Sequence, residues 1–218
     1  MLEDFQRLDQ VHEMFPDKFL LPTEACNCPG VAMNNWFRGE EYAIDILGDL
    51  NHWSVGWVDW NMVLDPFGGP NHGQNFCDAP VIADPSTGVV FYQPTYYVLG
   101  HFSRFIPPGK SIACYNFEIR SPFIFVIMHD NTVNKQRFNS AFIIGSVRVG
   151  HTNVAGYGSK ISATTFLTPD NDVVLVVLNT SDDEVTFKIE DLSGYYAKGI
   201  SLSHSIQTYV YPAIEQIQ

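Results

Sequence analysis

The chain has 218 residues, of which 45% are hydrophobic and 14% aromatic. This composition is typical of a folded globular protein and excludes a largely disordered chain. The 12 Lys and Arg residues stand against 24 Asp and Glu residues, so the formal net charge is -12. Such a charge opposes binding to nucleic acid or anionic lipid through a basic patch, and we expect no nucleic-acid partner.

The opening residues favour a folded start to the chain. Leu2, Phe5, Leu8 and Val11 recur at helical spacing among charged residues, which predicts an amphipathic helix ending near residue 16. This charged pattern predicts no signal peptide, and no apolar run has transmembrane length.

Two apolar runs predict buried strands, over residues 18–23 and 54–61, with a helix over residues 39–52 between them. The order helix, strand, helix, strand is typical of βα units on a parallel sheet. Glu24 follows the first run directly. Because buried charges are avoided unless they are paired or used, Glu24 is a candidate catalytic residue, with a buried salt-bridge partner as the alternative.

Residues 62–93 are rich in turn residues around two short apolar segments and predict a long loop excursion with a hairpin. A helical stripe over residues 96–105 stops at Pro107-Pro108-Gly109, where we expect a domain boundary. Residues 172–179, 184–189 and 205–211 predict antiparallel strands of a β-sandwich.

The four cysteines are too few for a disulfide scaffold. Cys26-Asn27-Cys28 also lacks the two-residue spacing typical of structural zinc sites. We therefore expect no metal and no cofactor. Asn179-Thr180-Ser181 is a glycosylation sequon, which matters only if the chain enters the secretory pathway.

Five motifs occur in a specific order: Thr-Glu-Ala-Cys, Gly-Trp-Val-Asp-Trp-Asn, Gly-Gly-Pro-Asn, Asn-Phe-Cys-Asp-Ala-Pro and Leu-Gly-His-Phe-Ser-Arg-Phe-Ile-Pro. The series resembles the C-terminal portion of the lysosomal glucosylceramidases (acid β-glucosidases) of glycoside hydrolase family 30. The likeness covers about residues 2–108 and 147–211. It implies an α/β plus all-β fold, in which the last βα units of a (β/α)₈ TIM barrel precede part of a β-sandwich.

The resemblance implies a retaining glycoside hydrolase that cleaves glucosylceramide or another β-glucoside. It makes Glu24 the catalytic nucleophile and places Trp60 and Asn75 in the sugar pocket. An indole face suits the C–H-rich face of a pyranose, and an amide can bond its hydroxyl groups. The alternatives are core packing for Trp60 and an ordinary turn position for Asn75.

Asp59 is the other carboxylate near a predicted strand end, but we expect it to be a hydrogen-bonded structural group. In the family, the acid/base is a Glu in an Asn-Glu-Pro motif on an earlier strand, and this chain has no such triplet. A (β/α)₈ barrel takes about 250 residues by itself. We therefore expect a fragment without useful activity on its own.

The resulting division is residues 1–107 for the barrel part, 108–146 for an atypical insertion and 147–213 for the sandwich. The insertion is either translated intronic sequence or a lineage-specific hairpin. The resemblance further implies lysosomal or secretory residence of the full-length protein, a lipid-presenting activator protein and peripheral membrane association. The alternatives are a non-catalytic glycan-binding fragment and a family 30 hydrolase acting on another β-glycan.

Overall fold

The computed structural model describes residues 5–107, 116–118, 124–129, 147–153, 160–190 and 196–213. The chain forms two compact units, residues 1–100 and 101–218. Among the helices of these described ranges, none combines the length and the apolar character needed to cross a bilayer.

Two helices organise the first unit, and both were predicted. Helix α1 covers Gln6–Met14, and α2 covers Trp36–Asn51. Helix α2 begins three residues before the predicted start because Asn35 caps it, accepting a hydrogen bond from the Arg38 amide. Its buried face carries apolar side chains at helical spacing, Tyr42, Ala43, Ile46 and Leu47.

The two buried strands predicted over residues 18–23 and 54–61 are not formed as regular strands, and apart from Ser54 their residues are exposed or half-buried, so that part of the prediction is wrong. The segments are extended and parallel, with one bridge between Leu20 and Ser54. The amides of residues 55, 58 and 60 donate to the carbonyls of residues 20, 22 and 25, at 2.9, 3.1 and 2.8 Å. A regular parallel ladder is evenly spaced. Here the steps alternate between two and three residues, and Pro22 supplies no amide donor.

The predicted hairpin is confirmed. Strand β2 (Val81–Asp84) pairs antiparallel with β3 (Val89–Tyr92), and the two-residue strand β1 (Val63–Leu64) pairs parallel with β2. In the turn, the Asp84 carboxylate accepts a hydrogen bond from the Ser86 amide at 2.8 Å. Helix α3 covers Pro94–Ser103, two residues earlier than predicted at each end.

Within the described residues, the second unit contains eight strands: β4 Asn116–Glu118, β5 Ile124–His129, β6 Val147–Asn153, β7 Ile161–Leu167, β8 Asp172–Asn179, β9 Val185–Glu190, β10 Tyr196–Ser201 and β11 Ser205–Pro212. They form two four-stranded sheets, with strand orders β11-β8-β7-β6 and β10-β9-β5-β4. The predicted strands are confirmed as β8, β9 and β11.

The two sheets share one apolar core, which is the defining property of a sandwich. Ile161, Ala163, Leu175 and Val177 come from one sheet, and Val185, Phe187 and Ile189 come from the other. All pairs in the first sheet are antiparallel, whereas β5 and β9 pair parallel in the second. Strands β4 and β5 belong to the predicted insertion. The rest of residues 108–146 lies outside the described residues, so the origin of the insertion stays a prediction.

The sequon residue Asn179 is completely buried at the end of β8. Its Nδ2 donates to the backbone carbonyls of Asp183, Ser201 and Leu202 at 2.8, 3.2 and 3.0 Å. Its Oδ1 accepts from the amide and hydroxyl of Ser181. In the folded chain this amide is a structural link between chain segments and is inaccessible to a glycan.

We expect Asn179→Ala to lower the free energy of unfolding by about 3 kcal/mol, because it leaves buried carbonyl groups without a donor. Urea unfolding followed by circular dichroism measures the change. Thr180→Ala is the matched control, since its hydroxyl makes one exposed bond to the Lys160 carbonyl and should contribute less than about 1 kcal/mol. Equal losses in the two variants would contradict the structural role of Asn179.

Asp49 on α2 is 7% exposed. Burial, together with the charge of Asp45, raises the pKa of Asp49 to about 7. Between about pH 4 and pH 7 the folded chain therefore holds a proton that the unfolded chain has released, and stability falls as the pH rises through this range. Above pH 7 both states are ionised, and this contribution becomes constant.

Asp49→Asn should remove that pH dependence and raise the free energy of unfolding at pH 8 by about 2 kcal/mol. Urea unfolding curves recorded from pH 4 to pH 8 test this. The exposed Asp17 supplies the control, Asp17→Asn, which should keep the slope of the parent chain. If Asp49→Asn keeps the full slope of the parent chain, the assignment to Asp49 is wrong.

Candidate active site

The first unit brings Glu24 and Trp60 to neighbouring positions on its two parallel segments. The Trp60 amide donates to the carbonyl of Ala25, the residue after Glu24, at 2.8 Å. Both side chains are exposed, Trp60 to 44%. The backbone pairing thus brings the main chain of Trp60 next to the residue after Glu24, and both side chains are accessible to a ligand.

The Asp59 carboxylate, in contrast, is engaged in hydrogen bonds within the first unit. Its Oδ1 accepts hydrogen bonds from the Tyr42 hydroxyl at 2.8 Å and from the Trp60 amide at 2.9 Å. Its Oδ2 is buried and has no hydrogen-bond partner within the described residues. Burial raises the pKa of Asp59, while the two hydrogen bonds oppose the shift. The carboxylate anchors the backbone of Trp60 to α2, which agrees with the expected structural role.

Asn75 lies in an exposed loop, where a side chain can meet a ligand. The loop begins with a turn in which the Asp65 carboxylate accepts from the amides of Phe67 and Gly69 at 2.8 and 2.9 Å. Gly68, at φ +81°, then passes so close to Cys77 that an added Cβ would lie 2.7 Å from the Cys77 carbonyl oxygen. This close approach requires glycine.

Cys28 and Cys77 form a disulfide, which joins the segment after Glu24 to the loop after Asn75. Two backbone hydrogen bonds follow the same path, from Gly30 to Phe76 at 2.7 Å and from Asp78 to Asn27 at 2.8 Å. Sequence reasoning missed this link. The two cysteines are 49 residues apart, and four cysteines allow three pairings if all are paired, so the count alone does not select one.

The carboxylate of Asp78 also stabilises this junction between the segment after Glu24 and the loop after Asn75. It is buried, and its Oδ2 accepts from the Arg38 guanidinium and from the Ala32 amide. Its Oδ1 accepts from the Ala79 amide and from Gln93 Nε2. A buried charge is tolerated because it is paired and fully hydrogen-bonded. Asp78 was not selected from the sequence, since nothing in Asn-Phe-Cys-Asp reveals its partners.

The sulfur atoms of Cys26, Cys28 and Cys77 lie within 4.8 Å of one another. Two of them are bonded to each other, so they offer no thiolate to a metal, and the third is a free thiol. Burial and the negative charges of Glu24 and Asp59 raise the pKa of the Cys26 thiol. The neutral thiol is therefore favoured at neutral pH.

Two domain profiles match this chain. The Glycosyl hydrolase family 30 TIM-barrel domain matches residues 3–106, and the Glycosyl hydrolase family 30 beta sandwich domain matches residues 145–209. The chain belongs to glycoside hydrolase family 30. Its α/β part is accordingly a portion of a TIM barrel, and its all-β part is a β-sandwich domain.

Relatives within the family differ in their named activities. The chain is 32% identical over 209 residues to the lysosomal acid glucosylceramidase of Mus musculus, covering 94% of this chain and 33% of that protein. It is 23% identical to the endo-1,6-β-D-glucanase neg1 of Aspergillus fumigatus, covering 96% and 35%. The chain thus spans about a third of the length of these relatives.

Solved structures support the fold. The crystal structure of SrfJ from Salmonella typhimurium matches with a TM-score of 0.70 at 22% identity, covering 96% of this chain and 38% of that one.

We expect Gly68→Ala to destabilise this family 30 chain by about 2 to 4 kcal/mol, because it combines a positive φ with a collision against the Cys77 backbone. Gly73→Ala is the matched control. It shares a positive φ of +77° but has nothing within 4 Å of an added Cβ, so it should cost only about 1 kcal/mol. Urea midpoints compare the two, and equal midpoints would contradict the close approach.

Proposed function

We propose that this chain is the C-terminal portion of a retaining β-glucosidase that cleaves glucosylceramide to glucose and ceramide. The observation that carries the proposal is the hydrogen bond from Trp60 to Ala25. In a family 30 barrel domain, this bond pairs the backbone of Trp60, whose indole is exposed, with the residue after the expected nucleophile Glu24. A carboxylate next to an aromatic face is a suitable arrangement for attack on a bound pyranose.

In the proposed mechanism, the Glu24 carboxylate attacks the anomeric carbon and forms a covalent glycosyl-enzyme, which water then hydrolyses. Trp60 packs against the sugar ring, and the Asn75 amide bonds a hydroxyl group. Retention requires a second carboxyl group about 5 to 5.5 Å from the nucleophile. Asp59 is a poor candidate because its Oδ1 already holds Tyr42 and the backbone of Trp60.

The acid/base would then come from a preceding part of a longer protein. The length of the mouse relative supports this, since the chain covers 33% of it. Exposed apolar side chains along the two parallel segments support it as well, because monomeric proteins rarely expose such a surface. They are Phe19, Leu21, Val55, Val58 and Met62. We assign residues 1–107 to the barrel, 108–146 to an insertion and 147–213 to the sandwich.

The name of the mouse relative also supports a proposal about subcellular location. We infer a lysosomal or secretory location for the full-length protein. Because ceramide is membrane-bound, we also infer peripheral membrane association and a lipid-presenting activator protein.

A second candidate is a family 30 hydrolase acting on a different β-glycan, which the Aspergillus endo-1,6-β-D-glucanase favours through its match to 96% of the chain. A third is a glycan-binding fragment without chemistry, which the missing Asn-Glu-Pro triplet favours. The three differ in which substrate is hydrolysed and in whether Glu24 reacts.

The test compares the 218-residue chain with the product of the complete transcript that encodes it. We expect the complete product to hydrolyse glucosylceramide and the 218-residue chain alone to be inactive, because it lacks the acid/base. Glu24→Gln in the complete product should lower kcat by about 10³-fold or more. Release of glucose from glucosylceramide and from a 1,6-β-glucan is measured in parallel.

Asp17→Asn provides the control, since this exposed residue lies outside the proposed site. Hydrolysis of the glucan alone would replace the leading proposal by the second candidate. Full activity of Glu24→Gln would remove Glu24 as the nucleophile, and turnover by the 218-residue chain would remove the need for a missing acid/base.

A further inference from the structure

Three sulfur atoms meet at the junction between the Glu24 segment and the Asn75 loop. Cys28 and Cys77 are joined as a disulfide, and the free Cys26 sulfur lies 3.2 Å from the Cys28 sulfur. Reacting atoms in a near-attack arrangement lie about 3 to 3.5 Å apart with their orbitals aligned, and the Cys26–Cys28 separation meets the distance part of this condition. The free thiol is therefore already placed against one half of the disulfide.

We propose that Cys26, Cys28 and Cys77 form a thiol–disulfide exchange site. Cys26 loses its proton to solvent, and its thiolate attacks the Cys28 sulfur. A Cys26–Cys28 bond forms, the Cys28–Cys77 bond breaks, and Cys77 leaves with the electron pair and takes up a proton. One disulfide and one thiol are present before and after the step, so no oxidant or reductant is consumed.

The surroundings select which sulfur is attacked. Cys28 is exposed, whereas Cys77 is 1% exposed, so Cys28 is the accessible half of the bond. The ionisable groups that act on Cys26 are Glu24, Asp59 and the Tyr42 hydroxyl. The two carboxylates oppose formation of the thiolate, so exchange is slow at neutral pH and accelerates as the pH rises.

Exchange changes what holds the two segments together. The present disulfide is a covalent link between them, while a Cys26–Cys28 bond lies within one segment. After exchange, the loops keep the hydrogen bonds from Gly30 to Phe76 and from Asp78 to Asn27. These bonds keep Cys77 near, so the step is reversible. Its effect on the glucose pocket rests on the proposed function, whereas the exchange itself does not.

The experiment uses the 218-residue chain with Cys114→Ser, which removes the fourth cysteine. The chain is held without thiols or oxidants at pH 8.5 and at pH 6.5, and then blocked with N-ethylmaleimide. Trypsin separates the peptide with Cys26 and Cys28 (residues 19–38) from the peptide with Cys77 (residues 39–104). We expect Cys77 to become alkylated and the shorter peptide to carry an internal disulfide, about tenfold or more faster at pH 8.5.

The control variant Cys26→Ser has no attacking thiol, so its Cys77 should stay unlabelled and the two peptides should stay joined. Circular dichroism establishes that both chains are equally folded, and a rate independent of protein concentration identifies an intramolecular step. Absence of label on Cys77, or equal label in the two chains, would overturn the proposal. Because the readout is peptide mass, failure of the glucosidase proposal leaves this result unaffected.

Discussion

The buried carboxylate of Asp78 is the interaction on which the first unit depends. It accepts hydrogen bonds from the segment after Glu24 and from the Arg38 guanidinium on α2. It also accepts from the amide of the next residue, Ala79, and from Gln93 Nε2 before α3. Gln93 extends the network by accepting from the Asn34 amide at 2.8 Å. Removing the Asp78 charge would leave the partly buried Arg38 guanidinium without its ion-pair partner. Loss of one partner of a buried pair destabilises a fold strongly, because the other charge stays uncompensated.

The candidate site has buried groups that hold its loops together and exposed groups that a ligand can reach. Asp78, the disulfide and the pairing of Gly30 with Phe76 hold the loops from within. Asp59 does the same for the backbone of Trp60 by linking it to Tyr42. Glu24, Trp60 and Asn75 lie on the exposed side of this supported backbone, which suits residues proposed to bind a ligand.

The second unit is held by a different balance of forces. Its core consists of apolar side chains from two sheets. The rings of Phe187 and Tyr209 pack edge to face, with their centroids 5.3 Å apart. A buried polar side chain in this unit supplies hydrogen bonds to backbone groups. The Asn179 amide donates to three backbone carbonyls. Buried polar contacts thus hold the loops of the first unit, whereas the core of the second unit is stabilised mainly by apolar area removed from water.

The sequence by itself determined the helices α1 and α2, the hairpin and strands β8, β9 and β11, because period and turn residues are local signals. It also offered Glu24 as a candidate from its position, and Trp60 and Asn75 through the resemblance of its ordered motifs to the family. It overstated the two barrel strands, whose register depends on pairing between residues 20–25 and 55–60. Only the tertiary structure decided the Cys28–Cys77 link, the donors of Asp78 and the burial of Asn179. These contacts join residues far apart in the chain, and no local pattern encodes which partner each will meet.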